Sequence, residues 1–201
     1  SKKLRASYYF MGAMLGKYKK VEIYFPGGCN IGARPIDLHL KGFEKLGAKI
    51  EIEDDKYTIT ADKLIGNNIY LDFASVGATI NLILAAVKAE GTTRIYNAAK
   101  EPEIVNVATL LNNMGAKIFG AGTSEIVING VEKLGKARIE TIPDRIEAGT
   151  YIIAGALLGK DLVVSGIIKE HIGALCSKLR EIGVTMNFVN NYVVINKPKE
   201  Y

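Results

Sequence analysis

A unit of 68 residues repeats along the chain, and this repeat constrains the fold more than any other feature of the sequence. The segment 46–50 reads Leu-Gly-Ala-Lys-Ile, and related segments recur at 114–118 and 182–186. Their glycines give the period, because 115 − 47 = 68 and 183 − 115 = 68. A fixed period of this length predicts three copies of one supersecondary unit.

Each copy predicts a helix whose apolar residues are spaced by three and four positions, which places them on one buried face. The repeat glycine follows each of these helices, where a left-handed cap residue is favoured. The three matched sets are Ile36, Leu40, Phe43 and Leu46; Ile104, Ala108, Leu111 and Met114; and Ile172, Cys176, Leu179 and Ile182.

The remaining elements predict the order α-β-α-β-β in each copy. Ser7 and Ser75 are placed as N-caps of the first helix in two copies. A two-residue turn at Asn190-Asn191 predicts a β-hairpin. The fold class is therefore α/β (α+β). The predicted strands are Val21–Phe25, Thr93–Tyr96 and Leu162–Ser165, followed by Lys49–Glu53 with Lys56–Thr60 and by Val184–Val189 with Tyr192–Ile195.

A polar stretch at Glu132–Asp144 contains Gly135 and Pro143 and predicts a domain boundary. We expect residues 1–135 to hold two units of a first domain and residues 136–201 to hold the first unit of a second domain. The chain has no initiator methionine, so we also expect it to be part of a longer protein.

Composition narrows the class of protein. Of the 201 residues, 48% are hydrophobic and 23% are charged, which is typical of a globular protein with one or two domains. No apolar run reaches the roughly 18 residues of a membrane span. Two cysteines indicate no disulfide framework, so we expect a cytoplasmic protein. The net charge of +5 lacks an aromatic-basic motif, which argues against nucleic acid and fits small anionic ligands.

The first copy carries four extra residues between its strand and its second helix, and they include Gly27-Gly28-Cys29. Inserted loops on a repeated scaffold commonly carry function. A thiol near Arg34 favours the thiolate, so Cys29 is a candidate nucleophile or proton donor, with an inert loop thiol as the alternative. Arg34 precedes a helix and is suited to a carboxylate or phosphate, or to a surface ion pair.

Other polar residues open helices. Asp37 could face a ligand or only complement the helix dipole. His39 replaces the apolar residues of the other two copies, and could be a ligand contact or a structural histidine. Ser75-Val76-Gly77 could offer N–H groups to a phosphate or form a bare cap. Arg5 could meet an anion or be solvated. No metal-ligand spacing and no glycine-rich nucleotide motif occurs in the sequence, so no cofactor or metal is expected.

The loop Pro26-Gly27-Gly28-Cys29-Asn30-Ile31-Gly32-Ala33-Arg34-Pro35-Ile36-Asp37-Leu38-His39 resembles the active-site loop of the UDP-N-acetylglucosamine 1-carboxyvinyltransferases, which are enolpyruvyl transferases. The related shikimate-pathway enzyme shares the fold but not this loop. The resemblance runs essentially end to end and includes the segments 71–79, 97–105 and 143–147. It implies two domains, each an inside-out α/β barrel built from three units.

The resemblance also implies a reaction and site residues. Enolpyruvyl moves from phosphoenolpyruvate to the 3′-hydroxyl of UDP-N-acetylglucosamine by addition and elimination, and phosphate is released, in the first committed step of peptidoglycan synthesis. Cys29 would form an adduct with phosphoenolpyruvate and react with fosfomycin, as proton donor or in product release. Arg34 would bind phosphoenolpyruvate and orient the sugar nucleotide. The UDP-sugar site would comprise Arg5, Arg34, Pro35, Ile36, Asp37, Leu38, His39, Ser75, Val76 and Gly77.

The chain also departs from that family. Phe73 stands where some members carry a lysine near the UDP-sugar. The family's early Lys-Asn pair, its proposed general-base aspartate and its later arginines are not among these 201 residues. We therefore expect the chain alone to lack a complete active site and to need the remainder of its polypeptide.

Overall fold

A computed structural model describes residues 4–25, 27, 36–158 and 161–196. The loop residues Cys29, Arg34 and Pro35 lie outside the described residues, so their assigned roles are not placed by the structure.

Three copies of the α-β-α-β-β unit are present, as the repeat predicts. Two short 3₁₀ helices, Arg5–Tyr8 and Lys169–Ile172, were not predicted from the sequence, and neither was the short strand Asn68–Tyr70. The first copy contains α1 (Tyr9–Tyr18), β1 (Lys20–Tyr24), α2 (Asp37–Lys45), β2 (Lys49–Glu53) and β3 (Lys56–Thr60). The second contains β4 (Asn68–Tyr70), α3 (Val76–Ala86), β5 (Thr92–Tyr96), α4 (Pro102–Asn113), β6 (Lys117–Phe119) and β7 (Glu125–Asn129). The third contains α5 (Arg145–Leu158), β8 (Leu162–Ser165), α6 (Gly173–Glu181), β9 (Thr185–Val189) and β10 (Tyr192–Asn196).

Each copy builds its sheet in the same order, with the last strand of the copy in the middle. The orders are β1-β3-β2, β5-β7-β6 and β8-β10-β9, and all of these pairs are antiparallel. The second copy adds β4, which pairs in parallel with β5. The repeat therefore extends from sequence to strand topology. The described residues form open sheets and no closed barrel.

The repeat glycines end the second helix of each copy, as predicted. Gly47, Gly115 and Gly183 all have a left-handed backbone, with φ of 92°, 99° and 89°. Glycine adopts this conformation without the steric cost that a Cβ brings. In each copy the residue after the glycine donates its N–H to a carbonyl five residues earlier: Ala48 to Phe43 at 3.0 Å, Ala116 to Leu111 at 2.9 Å and Val184 to Leu179 at 3.0 Å.

Helix α3 is the centre of the core formed by the first two copies. Nine of its eleven residues are buried, and it packs against α1, α2 and α4. Its sequence is apolar around most of its circumference, which is typical of a fully buried helix. Two residues of the helix, Thr79 and Asn81, are polar but are nevertheless fully inaccessible to solvent.

Two expectations about local structure are wrong. Ser7 is not an N-cap, because it lies inside the 3₁₀ helix that runs directly into α1, whose own cap residue is Tyr8. Ile182 is 58% exposed, although its equivalent Leu46 is buried. In the first copy, the segment after β3 folds back and Ile65 donates its N–H to the carbonyl of Leu46 at 2.9 Å. The corresponding segment after β10 lies outside the described residues.

The chain divides into two compact units, one ending at Glu140 and the next beginning at Thr141. Each has its own hydrophobic core. The second core includes Ile152, Cys176 and Val193. The assignment of residues 1–135 and 136–201 to two transferase domains stays a prediction.

Candidate functional site

His39 is a buried imidazole, only 5% exposed, in the first turn of α2. Its Nδ1 lies 2.9 Å from the side-chain nitrogen Nδ2 of Asn81, on α3. Burial lowers the pKa of His39 to about 4, the positive charge of Arg5 contributes in the same direction, and Asp37 opposes them. The ring is therefore neutral at physiological pH.

Asn81 joins three helices through its amide. Its Oδ1 accepts the backbone N–H of Gly12, on α1, at 2.8 Å, while its Nδ2 faces His39 on α2. All three residues are buried, so these bonds are not exchanged for bonds to water. The contact is possible because residue 12 is a glycine: a Cβ at that position would clash with the backbone oxygen of Asn81, only 2.2 Å away.

An aromatic ring and a guanidinium complete the cluster. The ring of Tyr8 meets that of His39 edge to face, with centroids 5.0 Å apart. The guanidinium of Arg5 lies over the Tyr8 ring at 5.6 Å, a distance at which a cation is attracted to the ring face. A Cβ on Gly77 would lie 2.7 Å from the Tyr8 hydroxyl and 3.2 Å from Nε2 of His39. Glycine at 77 thus leaves room where the hydroxyl and the imidazole converge.

Two helices also begin at this cluster. The first-turn N–H groups of α2 and α3 have no acceptor within their own helix, which makes helix N-termini suited to anions. Ser75 caps α3, since its Oγ accepts the N–H of Ala78 at 3.3 Å, as predicted. Asp37, the first residue of α2, is exposed and lies 4.0 Å from the Nζ of Lys41.

The structure brings together three of the residues that the resemblance assigns to the UDP-sugar: Arg5, His39 and Gly77. The other assigned residues among the described ones are near them in sequence but differ in exposure. Ile36 and Leu38 are buried and belong to the core, Ser75 and Val76 are half-buried, and Asp37 is exposed.

A groove of about 510 Å³ is lined partly by Leu38, Lys41 and Asp72. Within this lining, the Nζ of Lys41 lies 3.5 Å from the carboxylate of Asp72, so the two form an ion pair. Phe73, the residue that departs from the family pattern, is 59% exposed. Among residues 4–25, 36–158 and 161–196, no group of three or more His, Cys, Asp and Glu side chains is arranged to hold a metal ion.

Sequence reasoning missed Tyr8 and Asn81. Asn81 gave one signal, because it is an amide inside the otherwise apolar run 80–87. A buried polar side chain needs a hydrogen-bond partner, so such a residue indicates a second polar group nearby. The sequence does not say which group this is, since Gly12 and His39 lie 69 and 42 residues away.

The model of one protein family, described as EPSP synthase (3-phosphoshikimate 1-carboxyvinyltransferase), matches residues 1–200. The chain belongs to this EPSP synthase family. Solved structures show the same fold: the enolpyruvyl transferase NikO from Streptomyces tendae has a TM-score of 0.83 at 24% identity, over 98% of this chain and 48% of its own. EPSP synthase from Acinetobacter baumannii has a TM-score of 0.69 at 22% identity, over 96% and 46%. The predicted α/β fold class is confirmed.

Within the EPSP synthase family, the chain is similar to the UDP-N-acetylglucosamine 1-carboxyvinyltransferases, as the loop predicted. It is 57% identical to UDP-N-acetylglucosamine 1-carboxyvinyltransferase 2 of Oceanobacillus iheyensis over 199 residues, which are 98% of this chain and 46% of that relative. It is 56% identical to the protein of the same name from Bacillus subtilis over 194 residues, which are 96% of this chain and 45% of that relative. The chain therefore spans a little under half the length of these relatives. In the described part, no helix is long and apolar enough to cross a bilayer.

Proposed function

We propose that the full-length protein carrying this chain transfers enolpyruvyl from phosphoenolpyruvate to the 3′-hydroxyl of UDP-N-acetylglucosamine. A general base removes the hydroxyl proton, and the hydroxyl oxygen adds to C2 of phosphoenolpyruvate while a proton is added at C3, which becomes a methyl group. Loss of one proton from that methyl group and of phosphate from C2 of the tetrahedral intermediate then gives the enol ether. The protein would act in the cytoplasm, at the first committed step of peptidoglycan synthesis, and so serve cell-wall growth and division.

One observation carries the proposal: Arg5, His39 and Gly77 come from three distant segments and meet in one cluster. The resemblance to the carboxyvinyltransferases assigns all three residues to the UDP-sugar site. The cluster offers a guanidinium, a neutral imidazole and two helix N-termini, a set suited to a diphosphate and its polar sugar. Identity of 55–57% to carboxyvinyltransferases supports the same choice.

The residue roles follow the resemblance and belong to the proposal. Cys29 is the thiol that forms the phosphoenolpyruvate adduct and that fosfomycin alkylates. Arg34 binds phosphoenolpyruvate and orients the sugar nucleotide. Arg5 and His39 contact the nucleotide sugar, as do the helix N-termini that begin after Ile36 and Ser75. The remaining half of the polypeptide supplies the general base and further arginines.

Phosphate release by the full-length protein tests the proposal. We expect phosphate release with UDP-N-acetylglucosamine and phosphoenolpyruvate, and inactivation by fosfomycin. Cys29→Ser should abolish the inactivation, because opening the epoxide needs a sulfur nucleophile. Cys176→Ser is the matched control, since that thiol is buried, and should leave the inactivation intact.

Two rival functions give different results in the same assay. The description of the matching family names 3-phosphoshikimate 1-carboxyvinyltransferase. Phosphate release with shikimate 3-phosphate in place of the UDP-sugar would therefore favour that enzyme. Binding of UDP-N-acetylglucosamine without any phosphate release would favour a non-catalytic nucleotide-sugar-binding scaffold. The 201-residue chain alone is expected to release no phosphate above background.

A further inference from the structure

The amide of Asn81 is oriented by its two neighbours. A backbone N–H is a donor only, so the atom of Asn81 that faces Gly12 must be the oxygen. The NH₂ group then points at Nδ1 of His39, 2.9 Å away. Because an NH₂ group donates, Nδ1 must accept, and a neutral imidazole that accepts at Nδ1 carries its proton on Nε2.

The protonated nitrogen faces the space beside Gly77. Nε2 lies 3.2 Å from where a Cβ on Gly77 would stand, and the Tyr8 hydroxyl lies 2.7 Å from the same point. The bond to Asn81 is the only hydrogen bond of the His39 ring among the described residues. The geometry therefore leaves an N–H donor beside Gly77, one of the residues that the resemblance assigns to the nucleotide sugar.

We propose that Asn81 is a positioning residue that holds His39 as the neutral Nε2–H tautomer, so that Nε2 donates to an acceptor oxygen of the bound nucleotide sugar. This inference rests on the proposed function for the identity of the ligand. The tautomer itself follows from Gly12, Asn81 and His39 alone. Asn81 does not touch the ligand; it fixes which ring nitrogen offers the proton.

Among the residues that the structure describes, three charged or titratable groups lie around the ring. The 3₁₀ helix contributes Arg5 and Tyr8, α2 contributes Asp37, and the α3 residues that face the ring, Gly77 and Asn81, do not titrate. Arg5 disfavours the imidazolium and Asp37 favours it, with burial the largest influence. Nucleotide-sugar affinity of the wild type should accordingly show no His39 titration between about pH 6 and 8.

Asn81→Asp reverses the direction of one hydrogen bond. One carboxylate oxygen still accepts from Gly12, but the other now needs a donor, so Nδ1 of His39 becomes protonated. At low pH the ring is an imidazolium and Nε2 still donates. Above its raised pKa the ring keeps the Nδ1 proton, and Nε2 presents a lone pair to the ligand's acceptor oxygen.

The test uses the full-length protein with ¹⁵N-labelled histidine, and His39 is assigned by the signals missing in His39→Gln. We expect long-range ¹H–¹⁵N spectra to show the Nε2–H tautomer in the wild type and a protonated Nδ1 in Asn81→Asp. Calorimetric titration with UDP-N-acetylglucosamine should then show affinity that falls at least about tenfold with rising pH in Asn81→Asp, whereas the wild type stays flat.

Thr79→Val is the matched control. Thr79 is equally buried on α3 and its Oγ1 accepts the N–H of Ala99 at 3.1 Å, so this variant also loses one buried hydrogen bond. It should keep the His39 tautomer and the flat affinity profile. A proton on Nδ1 in the wild type, the same spectral change in Thr79→Val, or a flat profile in Asn81→Asp would overturn the proposal.

The proposed function and this inference fail in different ways. If the wild type binds no UDP-N-acetylglucosamine, the proposed function fails and the ligand part of the inference is overturned with it. The tautomer spectra need no ligand and do not depend on Asn81→Asp folding, because the wild type alone decides whether Nε2 carries the proton. Binding by a wild type that carries the proton on Nδ1 overturns the inference and leaves the proposed function standing.

Discussion

Replacing Gly12 by alanine should destabilise the protein, although alanine is the better helix former. The added Cβ would lie 2.2 Å from the backbone oxygen of Asn81 and 2.8 Å from its Oδ1. Ordinary contact begins at 3.4 Å, so one helix must move by roughly 3.4 − 2.2 = 1.2 Å. One turn later, a Cβ on Gly16 would lie 2.9 Å from the backbone oxygen of Leu84, so α1 approaches α3 closely at both positions.

The magnitude follows from three contributions. Overpacking costs about 1–3 kcal/mol, and the strained hydrogen bond to Asn81 costs about 1 kcal/mol. Exchanging glycine for alanine inside a helix returns about 1 kcal/mol. We expect a net loss of about 1–3 kcal/mol in the free energy of unfolding, measured as a lower urea midpoint with an unchanged slope by circular dichroism.

Gly173→Ala is the control, because it makes the same change where nothing lies within 4 Å and φ is an ordinary −55°. That variant should gain about 0.4–1 kcal/mol. A Gly12→Ala protein as stable as the wild type, or more stable, would refute the reasoning that α1 and α3 can pack this closely only because residue 12 has no Cβ.

Three further predictions test the thiols, the imidazole and the core. Iodoacetamide should label Cys29 much faster than Cys176 in the folded protein, because burial raises the pKa of the Cys176 thiol, and denaturant should erase the difference; equal native rates would contradict this. The pKa of His39 is about 4 in the folded state and about 6.5 in the unfolded state, so the unfolded state binds a proton more readily between these values. The free energy of unfolding, measured by urea titration, should therefore be unaffected by His39 above about pH 6.5 and fall by on the order of 3 kcal/mol as the pH drops to about 4, and His39→Gln should lack this pH dependence. Phe43→Ala should cost about 3–5 kcal/mol because the ring is fully buried, whereas Phe10→Ala, 63% exposed, should change stability by no more than about 0.5 kcal/mol in the same assay.

Much of the local structure could be predicted because the same sequence pattern occurs in three copies. The glycine at 47 recurs at 115 and 183, and all three have the left-handed backbone that the pattern required. Strands β2, β3 and β8 begin and end at the predicted residues. Strand β4 was missed, since three residues are too few to show an alternating pattern.

The candidate site was predictable only in part. Arg5, His39 and Gly77 were identified by resemblance, but their contact was not. Ser75 was correctly predicted as a cap, because a cap is a local hydrogen bond between the residue and the helix it opens. Ser7 has the same residue type and failed, because the preceding 3₁₀ helix leaves no extended residue before α1.

The amino-acid sequence alone was enough to establish the 68-residue repeat, the left-handed glycine that ends the second helix of each copy, and the family. These are local properties, decided by periodicity, by glycine at one backbone position and by residues within a few places of each other. That Asn81 lies between Gly12 and His39 is known only from the three-dimensional packing of the helices. That arrangement depends on how closely the three helices approach one another. The approach requires that residue 12 has no Cβ and that residue 81, far along the chain, carries an amide. Such a contact has no periodic pattern in the sequence, yet it fixes which imidazole nitrogen carries the proton.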